Sequence, residues 1–335
     1  MIIVTGAAGF IGYQVVKTLE DQNATVICVD ELDLFANRPE HTQGPFAARY
    51  KWKLAPETIL AAAFFEQKKA EGTPVTGIIH MGACSATTEM RLDYLQRVNT
   101  DYTKTLWNLC TQFSIPFVYA SSAATYGAGE QGYDDDESKI HSLKPLNPYG
   151  DSKAQFDSWA LAEEKAGRHP PAWSGFKFFN VYGFGERHKE KMSSVVLQGF
   201  DQIVALGKLK LFKSHRDGIA DGEQKRDFVY IDDVVDVLLF ALKMPLKRGI
   251  YNLGSGHARS FFDLARSTFQ TLGQETKIEF IDTPIAIRDR YQYFTEATMS
   301  KLKAAGYSKP FTSLEAGVKK TVIALQQFHD FQQKN

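Results

Sequence analysis

A doubly wound α/β fold, a parallel sheet covered by helices and followed by a smaller mixed α/β C-terminal substrate lobe, is what this sequence predicts. Three observations carry the expectation. Apolar, β-branched runs alternate with helical patterns through the first half of the chain. The chain opens on one such run, M-I-I-V-T, followed at once by Gly6, Gly9 and Gly12. Past Gly183 the alternation loosens into helices, short strands and polar loops. Together they describe a Rossmann-type sheet over residues 1–183, with returns near 224–254, and a discontinuous lobe over 184–335.

Met1 to Thr5 reads as a buried strand. Ile11, Val15, Val16 and Leu19 then fall on one face of a helix. Strand, glycine turn and helix present backbone N–H groups to a pyrophosphate at a helix N-terminus. Gly6 permits the tight turn, Gly9 lets phosphates approach the backbone, and Gly12 lets the helix lie close to the strand. The second strand, Thr25 to Val29, ends in Asp30, an acid placed to bind ribose hydroxyls. This is a dinucleotide site. The stretch from Asp30 to about Ala55 is irregular. A helix is expected over Pro56 to Ala70, a buried strand over Val75 to Ala83, a helix over Leu92 to Phe113 and a strand over Pro116 to Ser122. The acidic run Asp134 to Glu137 reads as solvated loop. A long helix over Tyr149 to Ala166 and a strand over Phe176 to Tyr182 complete the first half. Ser214 to Glu223 reads as a loop, and Arg226 to Ile231 and Gly249 to Gly254 read as returns to the main body.

The bulk numbers exclude several classes of function. The 335 residues carry no net charge, so no basic field exists to attract nucleic acid. The three cysteines, Cys28, Cys84 and Cys110, have no metal or disulfide spacing and suit a reducing compartment. The eight histidines show no metal-ligand spacing either. The first residues already form a core strand rather than a signal peptide, and no apolar run approaches transmembrane length. A cytoplasmic protein with no metal, membrane or nucleic-acid partner is expected.

Tyr149 and Lys153 lie four residues apart in Y-G-D-S-K, on one face of a helix. A tyrosine ordinarily titrates near ~10, too high for a base at neutral pH. A nearby ammonium and an oxidised nicotinamide ring would favour the phenolate, which can take a proton from an alcohol while its carbon loses hydride. Ser121 and Ser122 end a strand at its C-terminal edge, where open α/β sheets bind ligands. A hydroxyl there holds the substrate oxygen beside Tyr149. His80 and Cys84 flank the end of a buried strand, but no third group is placed to orient them. Core packing and cofactor lining account for them better than a nucleophile does.

These motifs, in this order, resemble the extended short-chain dehydrogenase/reductase superfamily, and more closely its ADP-heptose 6-epimerase family. The closer resemblance rests on G-A-C-S-A-T-T-E (Gly82 to Glu89), Y-A-S-S-A-A-T-Y-G (Tyr119 to Gly127), F-F-N-V-Y-G (Phe178 to Gly183), H-K-E-K-M-S-S-V (His188 to Val195), Q-K-R-D-F-V-Y (Gln224 to Tyr230) and R-Y-Q-Y-F-T (Arg290 to Thr295). It implies an NAD(P)-dependent isomerase of lipopolysaccharide core heptose synthesis. Carbon six of ADP-D-glycero-D-manno-heptose is oxidised, the carbonyl turns over, and the same hydride returns to the opposite face. One NADP or NAD is expected to be tightly held per subunit, and the resemblance implies a homo-oligomer, a pentamer. The sheet domain then binds the dinucleotide and the lobe the nucleotide-sugar.

The resemblance also distributes roles. Tyr149 and Lys189 are the two acid/base groups, with Lys153 and Ser122 beside Tyr149. An amine base must be neutral part of the time, and Arg187 and Lys191 would favour that form by like-charge repulsion. Gly6, Gly9, Phe10, Ile11 and Gly12 on the phosphate loop, with Asp30 and Glu31, fall to the cofactor. So do Met81, Gly82, Ala83, Cys84 and Ser85, then Asn99, Lys153, Val181 and Lys189. Ser122, Asn180, Lys191, Gln198, Phe212, Lys213, Ser214, His215, Arg226 and Tyr291 fall to the substrate. Arg226 suits a diphosphate by its bidentate fork.

Two positions depart from the family pattern. Glu31 stands where a neutral amide is expected, and an extra acid repels a 2′-phosphate. Arg38, Lys51 or Lys53 would have to compensate, so NADP and NAD both stay open. Lys191 stands where a small hydroxyl residue touches substrate. Rival readings fit less well. A 4,6-dehydratase carries an acid pair where this chain has Ala123 and Ala124. A 4-epimerase would not need Lys189. A non-catalytic redox sensor would not need Tyr149, Lys153 and Ser122 together.

Overall fold

The computed structural model describes residues 1–244, 246–288 and 291–335. Arg290, the first residue of the R-Y-Q-Y-F-T motif, lies outside them. In chain order the strands are β1 (Ile2–Thr5), β2 (Val26–Val29), β3 (Trp52–Leu54), β4 (Gly77–His80), β5 (Phe117–Ser122), β6 (Trp173–Phe178), β7 (Asn180–Tyr182), β8 (Leu209–Phe212), β9 (Lys225–Tyr230), β10 (Gly249–Leu253), β11 (Ala258–Ser260) and β12 (Ile278–Ile281). By its internal contacts the chain divides into two units. Met1–Phe178, Val234–Asn252 and Ser300–Ser308 make the first, and Phe179–Asp233, Leu253–Met299 and Lys309–Asn335 the second.

The first unit is built on a seven-stranded sheet in the order β10-β6-β5-β4-β1-β2-β3, parallel from β6 through β3. The fold is therefore the doubly wound, Rossmann-type one, with the strand order reversing between β1 and β4. Its strands are apolar because both faces are covered: β2 and β4 are buried at every position. Trp107, Phe117, Phe156 and Trp173 form an aromatic cluster in this core, the two tryptophan rings 5.0 Å apart.

Several elements differ from the sequence reading. The edge strand β3 lies inside the stretch taken as irregular; its first two residues are exposed, so it carries no apolar signature. Pro56–Leu60 is a 3₁₀ turn, and the α-helix begins only at Ala62. The helix expected over Leu92 to Phe113 contains a π-helical stretch, Gln96–Asp101. The acidic run is only partly solvated. Asp135 is buried and accepts from Asn252 N at 2.8 Å, while Glu137 accepts from Ile250 N at 2.8 Å and Lys301 Nζ at 2.7 Å. These two acids tie down β10.

The strand expected over Phe176 to Tyr182 is broken at Phe179. Its first part is β6 in the large sheet, and its second is β7 in the second unit. There β9 pairs parallel with β7 and antiparallel with β11. The stretch Arg226 to Ile231 thus joins a small sheet rather than returning to the large one, because its Asp227 carboxylate is claimed locally. It accepts from Ser255 N at 2.6 Å, Gly256 N at 3.0 Å and Ala297 N at 2.9 Å. A parallel pair, β8 with β12, packs over Ile203, Ala265 and Phe269. Among the described residues, no helix is long and apolar enough to cross a membrane.

Candidate active site

In the first unit the glycine loop follows β1. Gly6 has φ +64°, and a Cβ there would lie 2.6 Å from Gly82 N. A Cβ on Gly12 would lie 2.0 Å from Gly6 O. Only glycine fits either place. Gly9 caps the helix Phe10–Asp21 and brings no side chain to its N-terminus. The cradle therefore fits a pyrophosphate on steric and dipolar grounds. Asp30 follows β2, and its carboxylate accepts from Ala8 N and Glu31 N, each at 3.0 Å. Burial raises its pKa, and the Arg38 guanidinium beside it opposes the rise. Arg38 also donates to the Ala8 carbonyl. Glu31 is exposed. Of Arg38, Lys51 and Lys53, Arg38 sits at the loop. Lys51 and Lys53 lie over the rings of Trp52 and Phe35.

Met81 to Ser85 follow β4 and are held from both sides. Met81 N donates to Thr5 O at 3.1 Å, and Gly82 N to Thr5 Oγ1 at 3.1 Å. The π-helical stretch aims Asn99 at Cys84: Asn99 accepts from Cys84 N at 2.8 Å and donates to Cys84 O at 3.0 Å and Ser152 Oγ at 2.9 Å. Its amide is thus spent on shaping the loop, as π-bulges at functional sites often do. His80 is structural. Its two ring nitrogens meet the Thr5 and Thr103 hydroxyls at 2.6 and 2.9 Å, and burial, with the Lys153 charge second, pushes its pKa down to about 3.

Ser122, Tyr149 and Lys153 come together at the C-terminal end of β5. Asn147 caps the helix Pro148–Lys165 by accepting from Gly150 N at 2.8 Å, which places Tyr149 in its first turn. Tyr149 is buried, with the Ser122 side chain beside it. Lys153 Nζ donates to Ala120 O at 2.9 Å. Burial pushes Lys153 down to about 8. The Tyr149 phenol is raised rather than lowered: burial dominates, and the Ser122 hydroxyl beside it only partly offsets the rise. The phenol is therefore the resting form, suited to giving a proton, and the phenolate needs more positive charge than Lys153 provides.

Beneath this constellation lies an ion pair that the sequence reading missed. Lys177 Nζ meets Asp157 Oδ2 at 2.7 Å, with side chains 2% and 0% exposed. Asp157 also accepts from Ser121 Oγ at 2.7 Å and Tyr119 OH at 3.0 Å, and Lys177 donates to Thr125 Oγ1 at 2.6 Å. The only trace in the sequence is an acid on the Tyr149 helix and a lysine inside an apolar strand.

The second unit holds the other residues. Asn180 and Val181 lie on β7. Arg226 is buried, its guanidinium 5.3 Å from the Tyr291 ring centre and 5.7 Å from that of Phe261. The Phe212 ring packs edge-on against Tyr291 at 6.1 Å. Phe212, Arg226 and Tyr291 are thus brought together in one cluster around the buried guanidinium. Gln224 holds the start of the neighbouring loop, donating to Phe212 O and Lys213 O at 3.3 and 3.2 Å. Ser214 N donates to Asp221 and His215 N to Tyr293 OH, at 2.7 and 2.9 Å. Gln198 Nε2 donates to Ser193 O at 2.8 Å and to Lys191 O at 3.3 Å. Lys191 is exposed. Lys189 lies on the bent segment Arg187–Met192, and its ammonium meets Glu186 at 2.9 Å. Arg187 forks onto Asp201 at 2.9 and 3.0 Å. The expected cationic surroundings of Lys189 thus include a carboxylate at bonding distance.

Residues 2–254 match the model of the NAD dependent epimerase/dehydratase family. An ADP-L-glycero-D-manno-heptose-6-epimerase of Fusobacterium nucleatum is 44% identical over 328 residues, covering 95% of this chain and 96% of that one. One of the same name from Nitratidesulfovibrio vulgaris is 41% identical over 319 residues, 95% of each chain. Among solved structures, the Helicobacter pylori ADP-L-glycero-D-manno-heptose-6-epimerase superposes with a TM-score of 0.74 at 26% identity, covering 98% of this chain and 96% of that one.

Proposed function

Since this chain belongs to the NAD-dependent epimerase/dehydratase family, and within it to the ADP-L-glycero-D-manno-heptose-6-epimerases, we propose that it inverts carbon six of ADP-D-glycero-D-manno-heptose by transient oxidation, serving lipopolysaccharide core heptose synthesis. The observation that carries the chemistry is the meeting of Tyr149, Ser122 and Lys153 at the end of β5, in the unit that holds the glycine cradle. When bound, the oxidised nicotinamide supplies a hydride acceptor that returns the same hydride, and a positive charge that favours the phenolate. Ser122 holds the substrate oxygen. Tyr149 takes the hydroxyl proton as hydride leaves carbon six, and the carbonyl forms. Hydride return to the opposite face of the carbonyl carbon leaves a new alkoxide, and the Lys189 ammonium gives that oxygen its proton. In the reverse direction the two exchange roles. Arg226, with Tyr291 and Phe212, takes the diphosphate and its nucleoside.

The cofactor is NADP or NAD, tightly held. Asp30 and Glu31 disfavour a 2′-phosphate and Arg38 favours it. The test is turnover of ADP-D-glycero-D-manno-heptose by purified enzyme with no cofactor added, the epimers separated afterwards. Conversion by wild type is expected, with kcat lowered about 10²–10⁴-fold in Tyr149→Phe and Lys189→Met. Cofactor released on denaturation identifies the dinucleotide, and Arg38→Ala is expected to shift its content from NADP toward NAD. A folded, cofactor-loaded wild type that leaves the sugar unchanged overturns the substrate assignment.

A further inference from the structure

The segment that carries Lys189 is bent at the next residue: Glu190 holds φ 47° and ψ −119°. A side chain in that region costs of order 1–3 kcal/mol and persists only where its surroundings over-determine it. The Glu186 carboxylate holds the segment on both sides of that residue. The Glu186 side chain is 0% exposed. Oε1 accepts from Gly183 N at 3.3 Å, and Oε2 from Ser194 N at 3.0 Å and Lys189 Nζ at 2.9 Å. The Glu186 carbonyl accepts from Lys189 N at 2.8 Å. Beyond the bend, Ser193 N and Oγ return to Glu190 O at 3.1 and 2.6 Å. One carboxylate therefore ties the entry of the loop, its exit and the amine between them. A buried carboxylate is tolerated when its acceptor sites are filled, and here three donors fill them. An exposed Lys–Glu pair at this spacing would be worth a few tenths of a kcal/mol and would fix nothing.

We propose that Glu186 is the positioning residue for Lys189: it sets where the amine stands and pairs the charge the amine gains when it takes a proton. The proposal rests on the reading of Lys189 as the second acid/base group. No redox step passes through Glu186; the proton stays on the amine or moves to the sugar oxygen.

The experiment compares Glu186→Gln, Glu186→Asp, Lys189→Met and the double variant Glu186→Gln/Lys189→Met, all as cofactor-loaded full chains. Misplacing a reacting group by about an ångström costs about 10²-fold, so Glu186→Gln is expected to lose about that in kcat with KM within about threefold. Glu186→Asp, which keeps the charge on a shorter stem, is expected to recover part of the loss. The double variant is expected to be no slower than Lys189→Met alone, since a residue that acts through Lys189 has nothing left to act on. Losses that multiply, or a Glu186→Gln enzyme with wild-type kcat, overturn the proposal. If Glu186→Gln fails to load cofactor, Glu186→Asp decides: a fall in kcat at unchanged KM supports the role, and an unchanged kcat ends it. Wild-type turnover by Lys189→Met instead overturns the reading of Lys189 itself.

Discussion

Tyr149 stands in the first turn of a helix of 18 residues, at the end of a strand in a seven-stranded sheet, with a capped N-terminus before it and the Lys177–Asp157 pair beneath it. Lys189 stands on a bent segment of six residues with one strained backbone position, and a buried carboxylate joins its amine to both ends of the segment. The first seat is held many times over, by the helix, the sheet ladder and a closed polar network. Losing one contact there disturbs the fold before it moves the tyrosine. The second seat rests on a buried carboxylate that holds the amine itself, so losing that tie is expected to move the lysine before it disturbs the fold. Damage in the first region should therefore be read in stability, and damage in the second in turnover.

Lys177→Met offers the largest effect and the plainest way to break this comparison. It leaves the Asp157 carboxylate buried without its ion partner, which costs about 3–5 kcal/mol. Denaturant unfolding followed by tryptophan fluorescence should show the loss; an unmoved midpoint would mean that the first seat is not held by its network.

A pH titration sharpens the same point. His80 stays neutral in the folded chain down to about 3, against an ordinary value of 6.5. Above 6.5 it is neutral whether the chain is folded or unfolded, and no penalty arises. Below that value the unfolded chain binds the proton and the folded one does not. Stability present above pH 6.5 is thus lost progressively toward pH 3, by a few kcal/mol. Melting measured across that window should fall more steeply in wild type than in His80→Asn.

The smallest expected effect belongs to the loop. Glu190→Gly relieves the left-handed backbone but adds glycine's freedom to the unfolded chain, so the net change in stability is expected to be about 1 kcal/mol. With Glu186 in place kcat should stay within about threefold. A large loss of turnover would show that the bend itself, and not the Glu186 tie, holds Lys189.

Much of the first unit is legible in the sequence. Gly6 and Gly12 announce themselves because no Cβ fits there, and Tyr149 with Lys153 because helical spacing sets them on one face. What escaped notice is instructive. β3 has exposed residues on a sheet edge and no apolar pattern to betray it. The break at Phe179 falls inside a run that is apolar throughout, so periodicity could not divide it between two sheets. Asp135 and Glu137 sit in a run of acids that composition assigns to solvent, yet their partners, Asn252, Ile250 and Lys301, are more than a hundred residues away. Glu186 had a readable signal, an acid three residues before Lys189, but that spacing more often marks an exposed pair.

By itself the sequence determined the glycine cradle, the strand–helix alternation, the Tyr149–Lys153 pair and the family, because each is written in steric demands or periodicities a few residues long. Tertiary structure alone decided that Arg38 stands by Asp30, that the Tyr149 phenol is raised by burial, and that Lys177 and Asp157 close on each other. It also decided that the carboxylate beside Lys189 is buried. Each of these depends on how far a charge is removed from water and which group is left to meet it, and distant segments settle both together.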